Sequence, residues 1–318
     1  MSGNKYIFSS YAFSFIKEAR KISEATGYPF IEGRYNPFSV SGSGLILANP
    51  DTVGMNIIRI TQRVSFSCYL VLEGIIRYRF LVDFYNRFPV YVPSEFVREC
   101  LEASGIHVDK VIPHGIPKVH GREIVKREKP RLLYIAWWHN WLPRKYPREA
   151  IEGLRLVKEP FELTVLTSKN NPYVKELSKY GRVITKVGEL SENELLKLYQ
   201  SHDFYLSMSN SEGFGVPVLE ALSCALPVIH VDARPFNEIT TPECSFRFPY
   251  EKVVEHPCPY FQGLLHKYSP EAFAEAVSEA IRTYLYEFDK YRAMCMCALA
   301  VAQRYTYKFT YEAFRELI

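Results

Sequence analysis

Residues 207–232 constrain the fold of this chain more than any other stretch. The apolar run 204–208 indicates a buried parallel strand, and the glycine-flanked turn 212–215 follows it. Pro217 suits the first turn of a helix, because its missing N–H would have no partner there. The helix ends before a second apolar run, 228–231, which is predicted as the next strand. The stretch therefore predicts one parallel crossover unit: strand, glycine loop, helix and strand.

The helix of such a unit favours ligand binding at its N-terminus. Its free N–H groups and its dipole point beyond the carboxyl end of the preceding strand, where open α/β sheets bind ligands. Glu212 stands at the start of the glycine loop, and Glu220 lies in the first turns of the helix. Carboxylates so placed suit the vicinal hydroxyls of a sugar or a ribose. The spacing alone also fits a tight turn followed by a solvated helix carboxylate.

The residues of this motif resemble a known family signature. Glu-Gly-Phe-Gly-Val-Pro-Val-Leu-Glu over 212–220, followed by Ala-Leu-Ser-Cys-Ala-Leu-Pro-Val-Ile over 221–229, is similar to the signature of retaining GT-B glycosyltransferases. These belong to the large group 1, family 4-like class that carries E-x7-E in its second domain. The resemblance implies an α/β protein with the GT-B fold, in which two Rossmann-like doubly wound parallel-sheet domains face each other across a cleft.

The resemblance also implies an activity and a set of site residues. The chain would move a sugar from a UDP- or GDP-linked donor to an acceptor hydroxyl and retain the anomeric configuration. Glu220 would bind the ribose hydroxyls, while Glu212 would hold the transferred sugar. Lys145 would neutralise charge on the leaving diphosphate. Backbone amides of the glycine loop would complete the donor site: Gly213, Phe214, Gly215 and Val216.

The loop before the helix that begins at Pro147 carries the cations that would face a diphosphate. Lys145 matches the family's lysine, and Arg144 precedes it. The family's arginine position falls on His139 or its neighbour Trp138, which is a departure. We predict that His139 donates a hydrogen bond to the diphosphate. The alternatives are that Arg144 takes this role, or that the tryptophans of the loop only cover it.

Four segments are expected from the same resemblance: an N-terminal acceptor domain over 1–117, a linker over 118–130, a C-terminal donor domain over 131–304, and a tail helix over 305–318 that returns to the first domain. The first domain matches the family more loosely. It lacks the family's glycine-rich loop after its first strand. Local signals still predict its elements, such as a helix over 13–26 that Gly27 ends and a helix that Ser94 caps.

Three further residues are candidates for the site. Glu73 follows a predicted central strand, where it would bind the acceptor hydroxyl or handle its proton, or would only cap a turn beside Arg77. His114 would line the cleft or orient the linker. Glu238 occupies the place of a family glutamate, although the glycines that normally precede it are missing.

No cofactor and no metal are expected, because cationic side chains and dipoles would neutralise the diphosphate and no D-x-D motif appears where it would be required. Two rivals remain open. One is a catalytically weak or inactive GT-B protein that binds a nucleotide or glycan as a scaffold. The other is a sugar-nucleotide 2-epimerase, which shares the fold but not this signature.

Composition limits the partners and the compartment. The chain has 318 residues, of which 47% are hydrophobic and 23% charged, as in globular proteins. The net charge of +4 is too small to indicate nucleic acid. We expect a cytoplasmic protein, because no signal peptide or membrane span is predicted and the seven cysteines show no disulfide framework. A group of arginines would suit peripheral membrane contact or an anionic acceptor, or would form an ordinary solvated surface: Arg59, Arg63, Arg77, Arg79 and Arg87.

Overall fold

The structure is a computed structural model that describes residues 4–32, 40–60, 63–137, 142–186 and 190–318. It contains two compact units. The first comprises Met1–Pro117, Pro257–Leu264 and Tyr305–Ile318, and the second comprises Lys118–His256 and Leu265–Arg304. These boundaries differ from the expected ones in two places: the linker 118–130 is part of the second unit, and 257–264 is part of the first.

The first unit is built on a parallel sheet. Its elements are β1 (Lys5–Ser9), α1 (Phe13–Thr26), β2 (Gly42–Ala48), α2 (Thr52–Ile60), β3 (Val64–Leu70), β4 (Gly74–Ile76), α3 (Arg79–Tyr85), β5 (Val90–Val92), α4 (Glu95–Ala103) and β6 (Lys110–Val111). The strands pair in parallel in the order β1-β2-β3-β5-β6. Phe30, which follows α1, forms a parallel bridge with Ile7 of β1, and β2 also pairs with β1. The chain therefore moves from β1 first to one side and then, with β2, to the other. This reversal is the mark of a doubly wound sheet.

Local signals explain the helices of this unit. In α1, Phe15, Ala19 and Ile22 recur at helical spacing and are buried in the core. Gly27 ends the helix with a left-handed φ of 78°, and its N–H bonds to the carbonyl of Ser23. The predicted range 13–26 and its cap are confirmed.

The second unit is a larger parallel sheet with helices between its strands. Its elements are β7 (Arg131–Ile135), α5 (Arg148–Leu154), β8 (Glu162–Ser168), α6 (Val174–Leu177), β9 (Gly181–Lys186), α7 (Glu192–Gln200), β10 (Phe204–Leu206), α8 (Val216–Ser223), β11 (Val228–Val231), α9 (Phe236–Ile239), β12 (Ser245–Phe248), β13 (Lys252–Pro257), α10 (Pro270–Tyr286) and α11 (Phe288–Gln303). The remaining strand, β14 (Phe261–Lys267), begins in the first unit and ends in the second. The order β12-β11-β10-β7-β8-β9 reverses between β7 and β10. Open α/β sheets bind their ligands at such a switch point.

The linker joins the second unit because a buried carboxylate holds it there. Asp203 is fully buried, and its Oδ1 accepts a hydrogen bond from the Arg127 guanidinium at 2.8 Å. Its Oδ2 accepts from the Arg131 N–H at 2.9 Å. A buried carboxylate requires such partners, and here they come from the start of the unit.

Residues 257–264 join the first unit through strand pairing. Phe261 of β14 lies opposite Ile76 of β4 in an antiparallel ladder. The Leu264 N–H donates to the carbonyl of Glu73 at 2.8 Å. The sequence did not predict this strand, because its partner is remote in the chain.

The C-terminal tail also belongs to the first unit, but not as the single helix expected over 305–318. It forms two 3-10 turns, Tyr307–Phe309 and Tyr311–Ala313, before the short helix α12 (Phe314–Leu317). Buried side chains at Tyr307, Tyr311 and Phe314 fix this path against α1 and the sheet. Among the residues described, no helix is long and apolar enough to cross a membrane.

Candidate donor site in the second unit

Two loops meet at the switch point of the second sheet. β7 and β10 are neighbours, with Leu132 opposite Phe204 and both strands running in the same direction. The loop after β7 leads to α5 and carries Arg144 and Lys145, while the loop after β10 leads to α8 and carries Glu212. Parallel strands end at the same edge of a sheet, so both loops open on the edge where ligands bind.

The carboxylate of Glu212 receives both cations of the β7 loop. The Arg144 guanidinium donates to Glu212 Oε2 at 2.7 Å, and the Lys145 ammonium donates to Oε1. The Glu212 side chain is only 10% exposed. Burial alone would raise the pKa of Glu212, but the charges of Arg144 and Lys145 outweigh it and lower the pKa to about 2. Glu212 is therefore an ionised, buried carboxylate held by two cations.

Backbone contacts hold the same two loops together. Arg144 donates from its guanidinium to the carbonyl of Ser211 at 3.1 Å. Its own carbonyl accepts from the N–H of Asn210 at 3.0 Å. Three predicted site residues, Arg144, Lys145 and Glu212, thus form one cluster. The sequence placed the two cations on a donor diphosphate, whereas in this structure they bind Glu212.

The glycine loop and the start of α8 are shaped by Gly215. This residue caps α8 with φ 99°, a left-handed conformation that favours glycine. A Cβ at this position would lie 3.3 Å from the ring of Phe236, which leaves little room for a side chain. Val216 then begins the helix, and Phe214 is buried beneath the loop. The N–H groups of Val218 and Leu219 bond to the Gly215 carbonyl, so the helix begins directly at the loop.

Glu220 lies on α8 and is oriented by a tyrosine. The Tyr199 hydroxyl donates to Glu220 Oε2 at 3.0 Å. Burial raises the pKa of Tyr199 well above its usual range, and the nearby charge of Glu220 raises it further. Tyr199 therefore remains a neutral donor that fixes the carboxylate. The sequence did not identify Tyr199, because its partner lies in a different helix.

Two polar residues beside Glu212 were also missed. Asn210 and Ser211 are buried, and Asn210 Oδ1 and Ser211 Oγ have no hydrogen-bond partner within the described part of the chain. Buried oxygens of this kind are normally satisfied by a ligand or by water. The sequence could have indicated them, because they are polar residues that come just after the apolar strand β10.

The structure does not bring every predicted residue to this cluster. Glu73 is buried in the first unit between β3 and β4. His114 is buried there as well, with Nδ1 2.9 Å from the Tyr311 hydroxyl and 3.5 Å from Glu18 Oε2. Burial lowers the pKa of His114 to about 4, so the ring is neutral at physiological pH. Its contacts join the C-terminal tail to α1.

Glu238 and His139 are the last two predicted site residues, and the structure describes only Glu238. Glu238 lies in α9, whose Phe236 packs against Gly215, so it belongs to the second unit beside the α8 loop. His139 and its neighbours Trp138 and Trp141 lie outside the described residues, so the role given to His139 stays a prediction. In the described ranges, no group of three or more His, Cys, Asp or Glu side chains could hold a metal ion.

Comparison with known proteins relates much of the second unit to one family. Residues 129–283 match the family described as "Glycosyl transferases group 1". A provisionally named glycosyltransferase 48 of Sulfolobus islandicus filamentous virus is 30% identical over 154 residues, which are 48% of this chain and 47% of that protein. The O-antigen chain mannosyltransferase RfbU of Salmonella typhimurium is 26% identical over 129 residues, or 39% and 36% of the two chains. The chain thus spans about half the length of the curated relatives it matches, or less.

Solved structures establish the fold over the whole chain. A glycosyltransferase from Rickettsia africae aligns with a TM-score of 0.70 at 14% identity, covering 100% of this chain and 98% of its own. The Anabaena protein HepE, solved in complex with UDP and glucose, aligns with a TM-score of 0.71 at 14% identity, covering 99% of both chains. The predicted GT-B fold is confirmed. Together with the motif and the parallel sheets, these matches identify residues 129–283 as a region of the group 1 glycosyltransferase family.

Proposed function

We propose that this chain is a retaining, metal-independent glycosyltransferase that moves a sugar from a nucleotide diphosphate sugar to an acceptor hydroxyl. One observation carries the proposal most directly. Arg144 and Lys145 converge on the carboxylate of Glu212 at the switch point of the second sheet. Two cations on one anion, next to a helix N-terminus, are the groups that a diphosphate requires.

The donor would exchange places with Glu212. A diphosphate carries more charge than a carboxylate and offers more acceptor oxygens, so it would compete for Arg144 and Lys145. The released carboxylate of Glu212 would then accept hydrogen bonds from the hydroxyls of the donor sugar. The same two cations would stabilise the charge that develops on the leaving diphosphate, and the N-terminus of α8 would add to this effect.

The ribose would bind at the other carboxylate. Glu220 is held in one orientation by the Tyr199 hydroxyl at 3.0 Å, and its other oxygen would accept from the ribose hydroxyls. Such a preset orientation reduces the entropy that is lost when the ligand binds. This assignment is similar to the role that the family resemblance gives to the second glutamate.

The reaction itself exchanges one glycosidic bond for another. The bond between the anomeric carbon and the diphosphate oxygen breaks, and a bond to the acceptor oxygen forms on the same face. The acceptor proton passes to the leaving phosphate. The role in acceptor binding that the sequence gives to Glu73, in the first unit, stays a prediction. Arg144 and Lys145 would supply the positive charge, so no metal is needed for departure of the diphosphate.

UDP-linked sugars are the first donors to test. The Anabaena HepE structures contain UDP with glucose or UDP-glucose, and a pneumococcal O-GlcNAc transferase structure contains UDP and GlcNAc. Purified protein should release nucleotide from one member of a panel of UDP- and GDP-sugars, and EDTA should leave the rate unchanged. The NMR coupling of the product's anomeric proton should match that of the donor. Binding of a donor without release under any condition would favour the scaffold alternative.

The first unit offers a surface that supports peripheral membrane contact. Tyr78, Phe80 and Tyr260 are 45%, 50% and 36% exposed, and the ring of Tyr78 lies 5.9 Å from Phe80 and 6.5 Å from Tyr260. Arg77 and Arg79 flank them and are exposed. Exposed aromatics beside arginines suit the interface of an anionic bilayer. Wild type should sediment with phosphatidylserine vesicles and Phe80→Ser should do so less, whereas equal sedimentation would remove this surface from the proposal.

A further inference from the structure

Two cysteines from separate elements meet in the second unit. Cys244 ends the 3-10 turn Pro242–Cys244, and Cys297 lies in α11, which packs against that turn. The Thr241 hydroxyl lies between them, 3.7 Å from Cys244 Sγ and 3.5 Å from Cys297 Sγ. Both thiols therefore share one hydroxyl neighbour, which places them in the same small cluster. Both are free thiols in this structure.

The two thiols differ in exposure. Cys244 is fully buried, whereas Cys297 is partly exposed. Burial raises the pKa of the Cys244 thiol, so Cys244 reacts less readily than an exposed thiol near neutral pH. A reagent from solution would therefore meet Cys297 first.

We propose that Cys244 and Cys297 are a modification site that a small-molecule disulfide converts into an intrachain disulfide bond. The Cys297 thiolate attacks one sulfur of the reagent, forms a mixed disulfide and releases the first thiol. The Cys244 thiolate then attacks Cys297 Sγ, forms the bond between the two residues and releases the second thiol. The protein loses two protons and two electrons, and the reagent gains them.

The bond would link α11 covalently to the 3-10 turn Pro242–Cys244 that follows α9. Cys244 lies between α9, which bears Glu238, and β12 of the sheet, whereas Cys297 lies in α11 near the end of the unit. The closed loop spans residues 244–297, so the bond restricts the unfolded chain strongly. Oxidation should therefore raise the unfolding temperature by roughly 5–15 °C.

The test uses the full chain, reduced and then treated with oxidised glutathione. Wild type should lose the mass of two hydrogen atoms without retaining glutathione, and peptide mapping should link Cys244 to Cys297. Cys244→Ser should instead retain one glutathione on Cys297, because no second thiol can displace it. Cys258→Ser, which removes a partly exposed cysteine of the first unit, is the matched control and should behave as wild type.

Three results would overturn the proposal. Wild type that retains glutathione on Cys297 lacks the second step, and peptides that join Cys297 to any other cysteine place the bond elsewhere. An unfolding temperature that does not rise on oxidation, while the linked peptide is present, removes the stabilising role. Comparison with Cys297→Ser, which cannot form the bond, separates this rise from any effect of glutathione itself.

Discussion

Replacing Glu212 by Gln tests how the cation pair is held before the donor binds. The substitution keeps the shape of the side chain but removes the charge that Arg144 and Lys145 share. The pKa of Glu212 falls from 4.5 to about 2 in the folded chain, and a shift of this size corresponds to roughly 3 kcal/mol. We expect Glu212→Gln to lower the free energy of unfolding by about 1–3 kcal/mol at pH 7.

The pH dependence of this loss has a definite sign. A depressed carboxyl pKa stabilises the fold fully above the unfolded value of 4.5, and this stabilisation disappears as the pH falls towards about 2. The difference between wild type and Glu212→Gln should therefore be largest at neutral pH and should shrink below pH 4.5. Urea unfolding at several pH values measures it.

The same substitution should strengthen anion binding while it weakens transfer. In wild type a diphosphate must displace the charged Glu212, whereas in Glu212→Gln no carboxylate charge competes with the diphosphate for the two cations. We expect pyrophosphate, a probe that does not depend on the base, to bind about tenfold more tightly, equivalent to about 1.4 kcal/mol. Sugar transfer should fall, because the group that accepts the sugar hydroxyls has lost its charge.

Isothermal titration calorimetry with a matched variant decides the question. Glu149→Gln removes another carboxylate of the same unit, which pairs with Lys267 at 2.9 Å and not with Arg144 or Lys145. Its pyrophosphate affinity should stay within about twofold of wild type. Equal or weaker pyrophosphate binding by Glu212→Gln would refute the exchange between Glu212 and the diphosphate.

Three further predictions follow from other contacts. Gly215→Ala should lower the free energy of unfolding by about 1–2 kcal/mol, because φ is 99° and the new Cβ would lie 3.3 Å from the Phe236 ring; urea unfolding measures this, and an unchanged midpoint would contradict it. Tyr199→Phe should weaken nucleotide binding about threefold to tenfold, since it removes the hydrogen bond to Glu220 together with a longer one to the carbonyl of Pro217 at 3.3 Å; equal affinity in calorimetry would exclude that role. The pKa of His114 is about 4 in the folded chain and 6.5 in the unfolded chain, so the unfolded chain binds the proton first as the pH drops. The free energy of unfolding should therefore fall between pH 6.5 and pH 4. His114→Asn should flatten this fall, and parallel pH curves for the two proteins would contradict it.

The sequence predicted those parts of the fold that local residues determine. The helix 13–26 has apolar residues at regular spacing and Gly27 at its end, and both appear as expected. Ser191 and Glu194 form a capping box at the start of α7, a pattern that depends only on residues three positions apart. The glycine loop and α8 follow from Gly215 and Pro217, whose backbone preferences act over a few residues.

The parts that were not predicted depend on contacts between remote residues. β14 pairs with β4 across most of the chain, and nothing within either strand specifies the other. The tail forms 3-10 turns because Tyr311 must reach His114 and Glu18 in the core of the first unit. A local pattern cannot report such a requirement.

In the candidate site, too, local sequence predicted some residues, whereas contacts between remote residues were not predicted. The motif identified Glu212, Glu220, Arg144 and Lys145, because residue type and spacing were enough to mark them. It did not reveal that both cations bind Glu212, since this pairing depends on β7 and β10 being neighbours at the switch point. Tyr199 was missed for the same reason: only the packing of α7 beside α8 brings its hydroxyl to Glu220.

The central claim is metal-independent sugar transfer in which Lys145 stabilises the leaving diphosphate. Its most direct test compares nucleotide release by wild type and Lys145→Met over one panel of UDP- and GDP-sugars in EDTA. Methionine keeps the length and apolar stem of the side chain but removes the charge that would stabilise the leaving diphosphate. The proposed mechanism predicts release from at least one donor by wild type and a loss of roughly 100-fold or more in kcat for the variant. Equal rates for the two proteins, or no release from any donor by wild type, would contradict it.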